Sequence, residues 1–301
     1  MWRAAVLLLF ASAAHADIVG DVRAAVSQGN LALADSEVQR YRAQRGVTPE
    51  MMEALSWIGR GALELKQPEK AEAHAREAEM LVRQQLMGRQ LDSDPHLAIA
   101  LGAAIEVEAQ VLAARGEPNE AVSLLRKELA TWGTTSIATR LQKNINLLSL
   151  EGKPAPALQL REYFGSKPAP LVSLRGKPVL LFFWAHWCSD CKGEAPIIAQ
   201  LRREYAAKGL TVIAPTQRYG YVAGGQDAPA AEEMKYIDEV RHRFYADLLD
   251  VPAPVSEENF KRYGASTTPT LVFIDRRGVV RLYHPGAMRQ EELRAAINSI
   301  L

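Results

Sequence analysis

Two rhythms of apolar and polar positions divide the chain. From Asp17 to about Glu151, small and apolar residues recur every three or four positions, the spacing of amphipathic helices. Leu55, Ile58, Gly59 and Ala62 share one helical face, and after the turn KQPEK so do Ala71, Ala75 and Ala78. A second unit runs through Ile105, Ala109 and Leu112, turns at RGEPNEA, and continues with Ala121, Leu124 and Leu125. A weaker first unit lies around AVSQGNLALADSEVQRY. Paired helices without catalytic residues are expected here, with His74 and His96 as solvated side chains.

Proline marks the change of rhythm. EGKPAPALQL and GSKPAPLVSLRGKP carry two copies of Lys-Pro-Ala-Pro, Lys153 to Pro156 and Lys167 to Pro170. Proline cannot continue a helix and biases its predecessor toward extended backbone. Short apolar runs then alternate with helical patterns. Strands are expected at Val179 to Trp184, Leu210 to Ala214, Thr270 to Asp275 and, after the turn DRRG, Val279 to Tyr283. Helices are expected at Glu194 to Ala207 (closed by Gly209), Met234 to Leu249, Glu257 to Tyr263 and Gln290 to Ile300, with VPAPVS as an irregular strand edge. This alternation predicts an α/β sheet covered on both faces. The expected organisation is a helical domain over 17–151 and an α/β domain over 152–301.

In the helical half, small residues paired across a turn resemble the tetratricopeptide repeat (TPR), in which they let the two helices of a hairpin approach closely. Ala34, Ala71 and Ala121 are unevenly spaced, however, and GRQLDSDP interrupts the two better units. Degenerate repeats and an ordinary antiparallel bundle both fit this irregular period.

The chain has 301 residues, 48% hydrophobic and 24% charged, enough apolar content for each half to bury a core. The N-terminal MWRAAVLLLFASAAHAD has one basic residue, Arg3, an apolar run from Ala4 to Phe10, and Ala14 and Ala16 around His15. That is the layout of a signal peptide, residues 1–16, cleaved after Ala16. The run is far short of the roughly 20 residues that span a bilayer, and no other segment is read as a span. A soluble, exported protein is expected, periplasmic or otherwise extracytoplasmic, with an uncleaved N-terminal anchor as the alternative. The net charge of +1 falls to zero without that segment, so no basic field recruits nucleic acid or anionic lipid.

Both cysteines lie in FFWAHWCSDCKGEAP, as Cys188 and Cys191. A structural zinc needs four ligands, and only His186 is close by, so no metal is expected. A staple closing so small a loop restrains little chain entropy. A redox dithiol fits better. Cys188 follows a buried strand and opens a helix, where unsatisfied N–H groups and the helix dipole favour the thiolate. Cys191, one turn on, is placed to resolve a mixed disulfide. Cys188 is expected as the exposed nucleophile and Cys191 as its buried resolver.

This segment resembles the active site of the thioredoxin superfamily, with Trp184, Ala185, Trp187, Cys188, Cys191 and Pro196 matching its pattern. Downstream, GASTTPTLVFID resembles that family's cis-proline loop, making Pro269 the proline and Thr268 its neighbour. GKPAP, SLRGKPVLLFFWA and Glu194 narrow the resemblance to the exported TlpA-like thiol-disulfide oxidoreductases, over about Gly152 to Leu301. The resemblance implies a thioredoxin-like fold in which Pro269 packs beside the cysteines and the Thr268 backbone pairs with extended substrate. Trp187 is expected at the substrate edge. Thioredoxin's buried aspartate is replaced by Phe182, and Glu194 is the candidate to move the proton instead; otherwise Glu194 is an exposed residue of the helix's first turn. His186 is read as a solvated loop residue, with modulation of Cys188 as the alternative.

The implied function is exchange or reduction of disulfides in protein partners, resupplied by a membrane or soluble thiol donor, with a further partner on the helical domain. No cofactor is expected. Asp190, between the cysteines, opposes thiolate formation and leans toward a reductant. A scaffold whose thioredoxin-like half is only structural is the competing reading, weakened by the intact dithiol. A peroxidase would resemble Thr-x-x-Cys, and WAHWC lacks that threonine. TQRYGYVAGGQDAPA (Thr216 to Ala230) is either a wall of the substrate groove, through Arg218, Tyr219 and Tyr221, or a plain surface insertion.

Overall fold

A computed structural model describes residues 17–301; the segment read as a signal peptide lies outside the described residues. The chain forms two compact units that divide after Val111. The first contains α1 (Ile18–Ser27), α2 (Leu31–Arg45), α3 (Pro49–Glu64), α4 (Pro68–Gln85) and most of α5 (Pro95–Ala114). Helices α1, α2 and α3 begin where side chains cap them. Asp17 accepts from the Gly20 N–H, Asn30 from Leu33 and Thr48 from Met51, which satisfies donors the first turn leaves free.

The helical hairpin expected from small residues is formed by α3 and α4. A Cβ on Gly59 would meet the Ala71 carbonyl oxygen at 3.3 Å, and Ala71, Ala75 and Ala78 are fully buried. Two expectations change. His74 lies 3.1 Å from Asp35 and is mostly buried, whereas His96, 2.7 Å from Glu53, stays 37% exposed at its side chain, so each has a carboxyl partner and only His74 departs from the solvated reading. Helix α5 is also long and apolar enough to cross a membrane, contrary to the reading that nothing beyond the N-terminus is; two thirds of its most apolar window is buried inside the protein.

The second unit, Leu112–Leu301, opens with α6 (Pro118–Trp132) and α7 (Ala138–Ser149). It continues with β1 (Tyr163–Phe164), β2 (Val179–Phe183), α8 (Ser189–Glu204), β3 (Thr211–Ile213), α9 (Ala230–Phe244) and β4 (Ala253–Pro254). It ends with α10 (Glu257–Tyr263), β5 (Thr270–Ile274), β6 (Val280–Pro285) and α11 (Gln290–Ser299). Strands order as β3-β2-β5-β6, with β2 parallel to β3 and antiparallel to β5. The short β1 pairs with β4, a strand contact the sequence reading did not include.

Both faces of the sheet are covered, which explains why β2 is apolar throughout and β5 is apolar after Thr270. Alternation sends Leu180, Phe182, Leu271 and Phe273 into one core with Ile198 and Leu201 of α8, Ile237 of α9 and Leu293 of α11. Val179, Leu181, Phe183, Val272 and Ile274 enter the other, with Phe260 and Tyr263 of α10 and Leu150 just past α7. Helix α7 packs tightly there. Gly264 adopts φ +61°, and a Cβ on it would collide with the backbone N and Cα of Lys143. The change of sequence rhythm near residue 151 and the division after Val111 thus fall on opposite sides of α6 and α7.

Candidate active site

Strand β2 delivers the site segment and its end is pinned. The Trp184 indole N–H donates to the Ala214 carbonyl at 3.0 Å, and the Thr216 hydroxyl donates to the Trp184 carbonyl at 2.9 Å. The chain then turns, with the Cys188 N–H donating to Ala185 O, and α8 starts at Ser189. This is earlier than the expected Glu194, because Cys188 itself serves as the cap: its Sγ accepts from the Cys191 N–H at 3.0 Å. Pro196 sits inside α8 and removes one N–H donor from its backbone ladder.

Cys188 and Cys191 are joined by a disulfide, with Cα atoms 5.3 Å apart. Cys191 is 0% exposed and Cys188 3%, so in the oxidised form the expected exposed nucleophile is nearly as buried as its resolver. Covalent pairing and the Thr268 carbonyl oxygen, 3.4 Å from Cys188 Sγ, account for this. The Thr268–Pro269 bond is cis. Two elements far apart in sequence, the strand-to-helix turn and the start of β5, therefore meet at one sulfur. Trp187 stays 49% exposed, with its ring centroid 5.6 Å from that of Tyr219.

Glu194 lies one turn beyond Cys191 on α8 and is buried, which overturns its reading as an exposed first-turn residue. One carboxyl oxygen accepts from the Met288 N–H at 2.8 Å and the other, Oε2, has no partner. Burial pushes the carboxyl up to about 7; the Met288 bond opposes this and the charge of Asp190 adds to it. Such a group exchanges its proton near neutral pH.

His186 is the largest departure from expectation. It is buried, and its ring packs edge-on against Tyr219, Tyr221 and Tyr236 with centroids 5.3–5.4 Å away. Its Nε2 lies 3.4 Å from Glu233 Oε1 of α9, also buried. The Glu233 carboxylate accepts from the Tyr219 and Gly220 N–H groups. The Tyr219 part of the loop is thus an inner wall beside the cysteine turn, whereas Arg218 points outward to an ion pair with Glu162 at 2.6 Å. Glu233 and Tyr236 escaped the sequence reading, since nothing local marks two residues of an amphipathic helix as neighbours of a turn over forty positions earlier.

Residues 171–301 match the family described as the thioredoxin-like domain. The chain is 32% identical over 146 residues to the thioredoxin-like protein YneN of Bacillus subtilis, covering 48% of this chain and 76% of that one. Over 137 residues it is 33% identical to the thiol:disulfide interchange protein DsbE of Pseudomonas fluorescens (46% and 67% covered). Over 161 residues it is 30% identical to the thiol-disulfide oxidoreductase ResA of Oceanobacillus iheyensis (52% and 77% covered). The chain belongs to the TlpA-like thiol-disulfide oxidoreductases.

Within a TlpA-like framework the local chemistry follows. A sulfur at a helix start, facing N–H groups and the positive end of the dipole, is stabilised as thiolate once the disulfide is reduced. Phe182, where thioredoxin has its aspartate, is fully buried in the apolar core, so it supplies no proton. Glu194 is the buried carboxyl on the same helix as both cysteines.

Proposed function

We propose that this protein is an exported thiol-disulfide oxidoreductase that reduces or exchanges disulfides in protein partners. The observation that carries the reading is the Cys188–Cys191 disulfide capping α8 directly beneath the Thr268 carbonyl. In the reduced protein, the Cys188 thiolate attacks one sulfur of a partner disulfide, forming a mixed disulfide and releasing the partner's other sulfur as thiolate. Cys191, deprotonated, then attacks Cys188 Sγ. The partner leaves with both thiols, and the enzyme retains the Cys188–Cys191 disulfide. Two electrons have moved to the partner. Glu194 takes the Cys191 proton, a task suited to a carboxyl titrating near 7.

Thr268 and Pro269 hold an extended stretch of the partner beside the sulfur, and Trp187 offers an exposed apolar edge. A membrane or soluble thiol donor restores the dithiol. The helical region, read as TPR-like, presents a protein-docking surface. Export to the periplasm or another extracytoplasmic space rests on the composition of residues 1–16.

Mixed-disulfide trapping tests the mechanism. Cys191→Ser should accumulate covalent adducts with partner proteins that dithiothreitol releases, because the nucleophile remains without its resolver. Cys188→Ser should form none and lose disulfide reduction. Full activity in Cys188→Ser would show the mechanism to be wrong.

A further inference from the structure

An imidazole is a costly core residue: a buried polar atom without a hydrogen bond costs about 1–3 kcal/mol. In His186, Nδ1 has no hydrogen-bond partner and Nε2 has only the 3.4 Å contact with Glu233. Ordinary packing would be better served there by phenylalanine. The polar ring nevertheless stands two residues before the nucleophile, facing a buried carboxylate.

That carboxylate gathers three distant segments. Glu233 contacts His186 from α9, and it accepts the N–H groups of Tyr219 and Gly220 from the loop after β3. Tyr219 in turn packs on Trp187, and His186 is joined through Trp187 to Cys188. The two residues preceding the nucleophile are therefore linked to the same side chain of α9, His186 by direct contact and Trp187 through Tyr219.

The groups facing His186 come from every surrounding element: Glu233 and Tyr236 from α9, Tyr219 and Tyr221 from the loop, and the charge of Lys192 from α8. Burial holds the imidazole's proton affinity below the ordinary range, and Glu233 partly restores it. The imidazole is thus held toward its neutral form.

We propose that His186 and Glu233 are positioning residues of the dithiol, which pin the Trp187–Cys188 turn to the Tyr219–Gly220 backbone and set how readily Cys188 ionises. The proposal rests on Cys188 being the nucleophile. The Glu233 charge faces the turn two residues before the sulfur and disfavours a second negative charge there, and protonation of His186 offsets that repulsion. The pair thereby links the redox turn to α9 and its loop.

The experiment is the pH dependence of iodoacetamide alkylation of Cys188, in the full mature chain carrying Cys191→Ser so that one thiol reports. It needs no partner protein. Glu233→Gln keeps the shape and an acceptor oxygen but removes the charge. It should raise the alkylation rate at pH 6 by about threefold to tenfold, as expected when a like charge facing the same turn is removed. His186→Phe keeps a ring among the tyrosines. It should remove the imidazole's contribution and so narrow the pH–rate curve relative to the parent's.

Curves that superimpose on the parent's, even with a lowered melting temperature, would reduce the pair to a structural contact and overturn the proposal. Should Glu233→Gln not fold, the His186→Phe curve decides alone by the same criterion. Shifted curves without any partner disulfide exchange would uphold the positioning role while sinking the exchange function. A Cys188 that resists alkylation at every pH would overturn both.

Discussion

At the scale of single residues, Glu194 gives a prediction with two independent signs. Its carboxyl titrates near 7 in the folded protein against an ordinary 4.5. The folded state therefore binds this proton more tightly than the unfolded chain does. The resulting stability is complete below about pH 4.5 and lost as pH rises through 7. The difference corresponds to roughly 3 kcal/mol. Glu194→Gln, which cannot ionise, should gain that amount relative to the parent between pH 4.5 and pH 8, as read by urea denaturation of the oxidised proteins. Turnover should move the other way: the variant should reduce disulfides at least about tenfold more slowly and lose the pH inflection near 7, since general acid-base help is commonly worth a hundredfold or more. Parallel stability curves and an unchanged pH–rate profile would return Glu194 to a packing role.

At the scale of elements, the active-site turn is held by neighbours on both sides of the sheet, and α7 is among the elements that complete the second core. Gly264 ends α10 in the left-handed region, where its missing Cβ leaves room for the α7 backbone at Lys143. Asn146 of α7 also donates to the Arg262 carbonyl at 3.4 Å, and the Tyr283 hydroxyl bridges to the carbonyls of Tyr263 and Gly264. Gly264→Ala imposes a left-handed conformation on a residue with a Cβ and forces two backbones apart. It should cost at least ~2 kcal/mol in urea denaturation. The Cys188–Cys191 turn lies on a different element, so iodoacetamide reactivity of the reduced variant should stay near the parent's under native conditions. A variant as stable as the parent would show that α7 is loosely held.

At the scale of the whole molecule, the question is where a working oxidoreductase can be cut. The change of sequence rhythm recommends a start near Gly152, whereas the compact unit starts at Leu112. A chain beginning at Leu112 keeps α6, α7 and Leu150, and it should fold and reduce a small model disulfide at a rate within about threefold of the mature protein. A chain beginning at Gly152 uncovers the Phe260 and Tyr263 side of the second core. Leu150 and the α7 contacts are lost with it, and several buried apolar side chains at about 1.5–3 kcal/mol each are a large share of a domain's stability. It should melt well below the longer chain. Equal melting temperatures for the two truncations would place α7 outside the folding unit.

Periodicity and spacing determined much of this protein. The alternation of apolar runs and helices set the α/β class, because a strand covered on both faces must be apolar at every position, as β2 is. Cys188 and Cys191 were legible as a candidate dithiol because a cysteine pair at a strand-to-helix junction is a local motif, whereas Trp187 and Pro196 entered through resemblance. Thr268 and Pro269 were legible only through resemblance, and tertiary folding is what brings the Thr268 carbonyl to the sulfur. The burial of Glu194 depends on Met288, ninety-four positions later, and the setting of His186 on Tyr219, Tyr221, Glu233 and Tyr236. A polar residue's surroundings are made by elements that carry no local trace of one another. Sequence determined which residues could do the chemistry, and the tertiary structure decided which of them are desolvated enough to have their proton affinities changed.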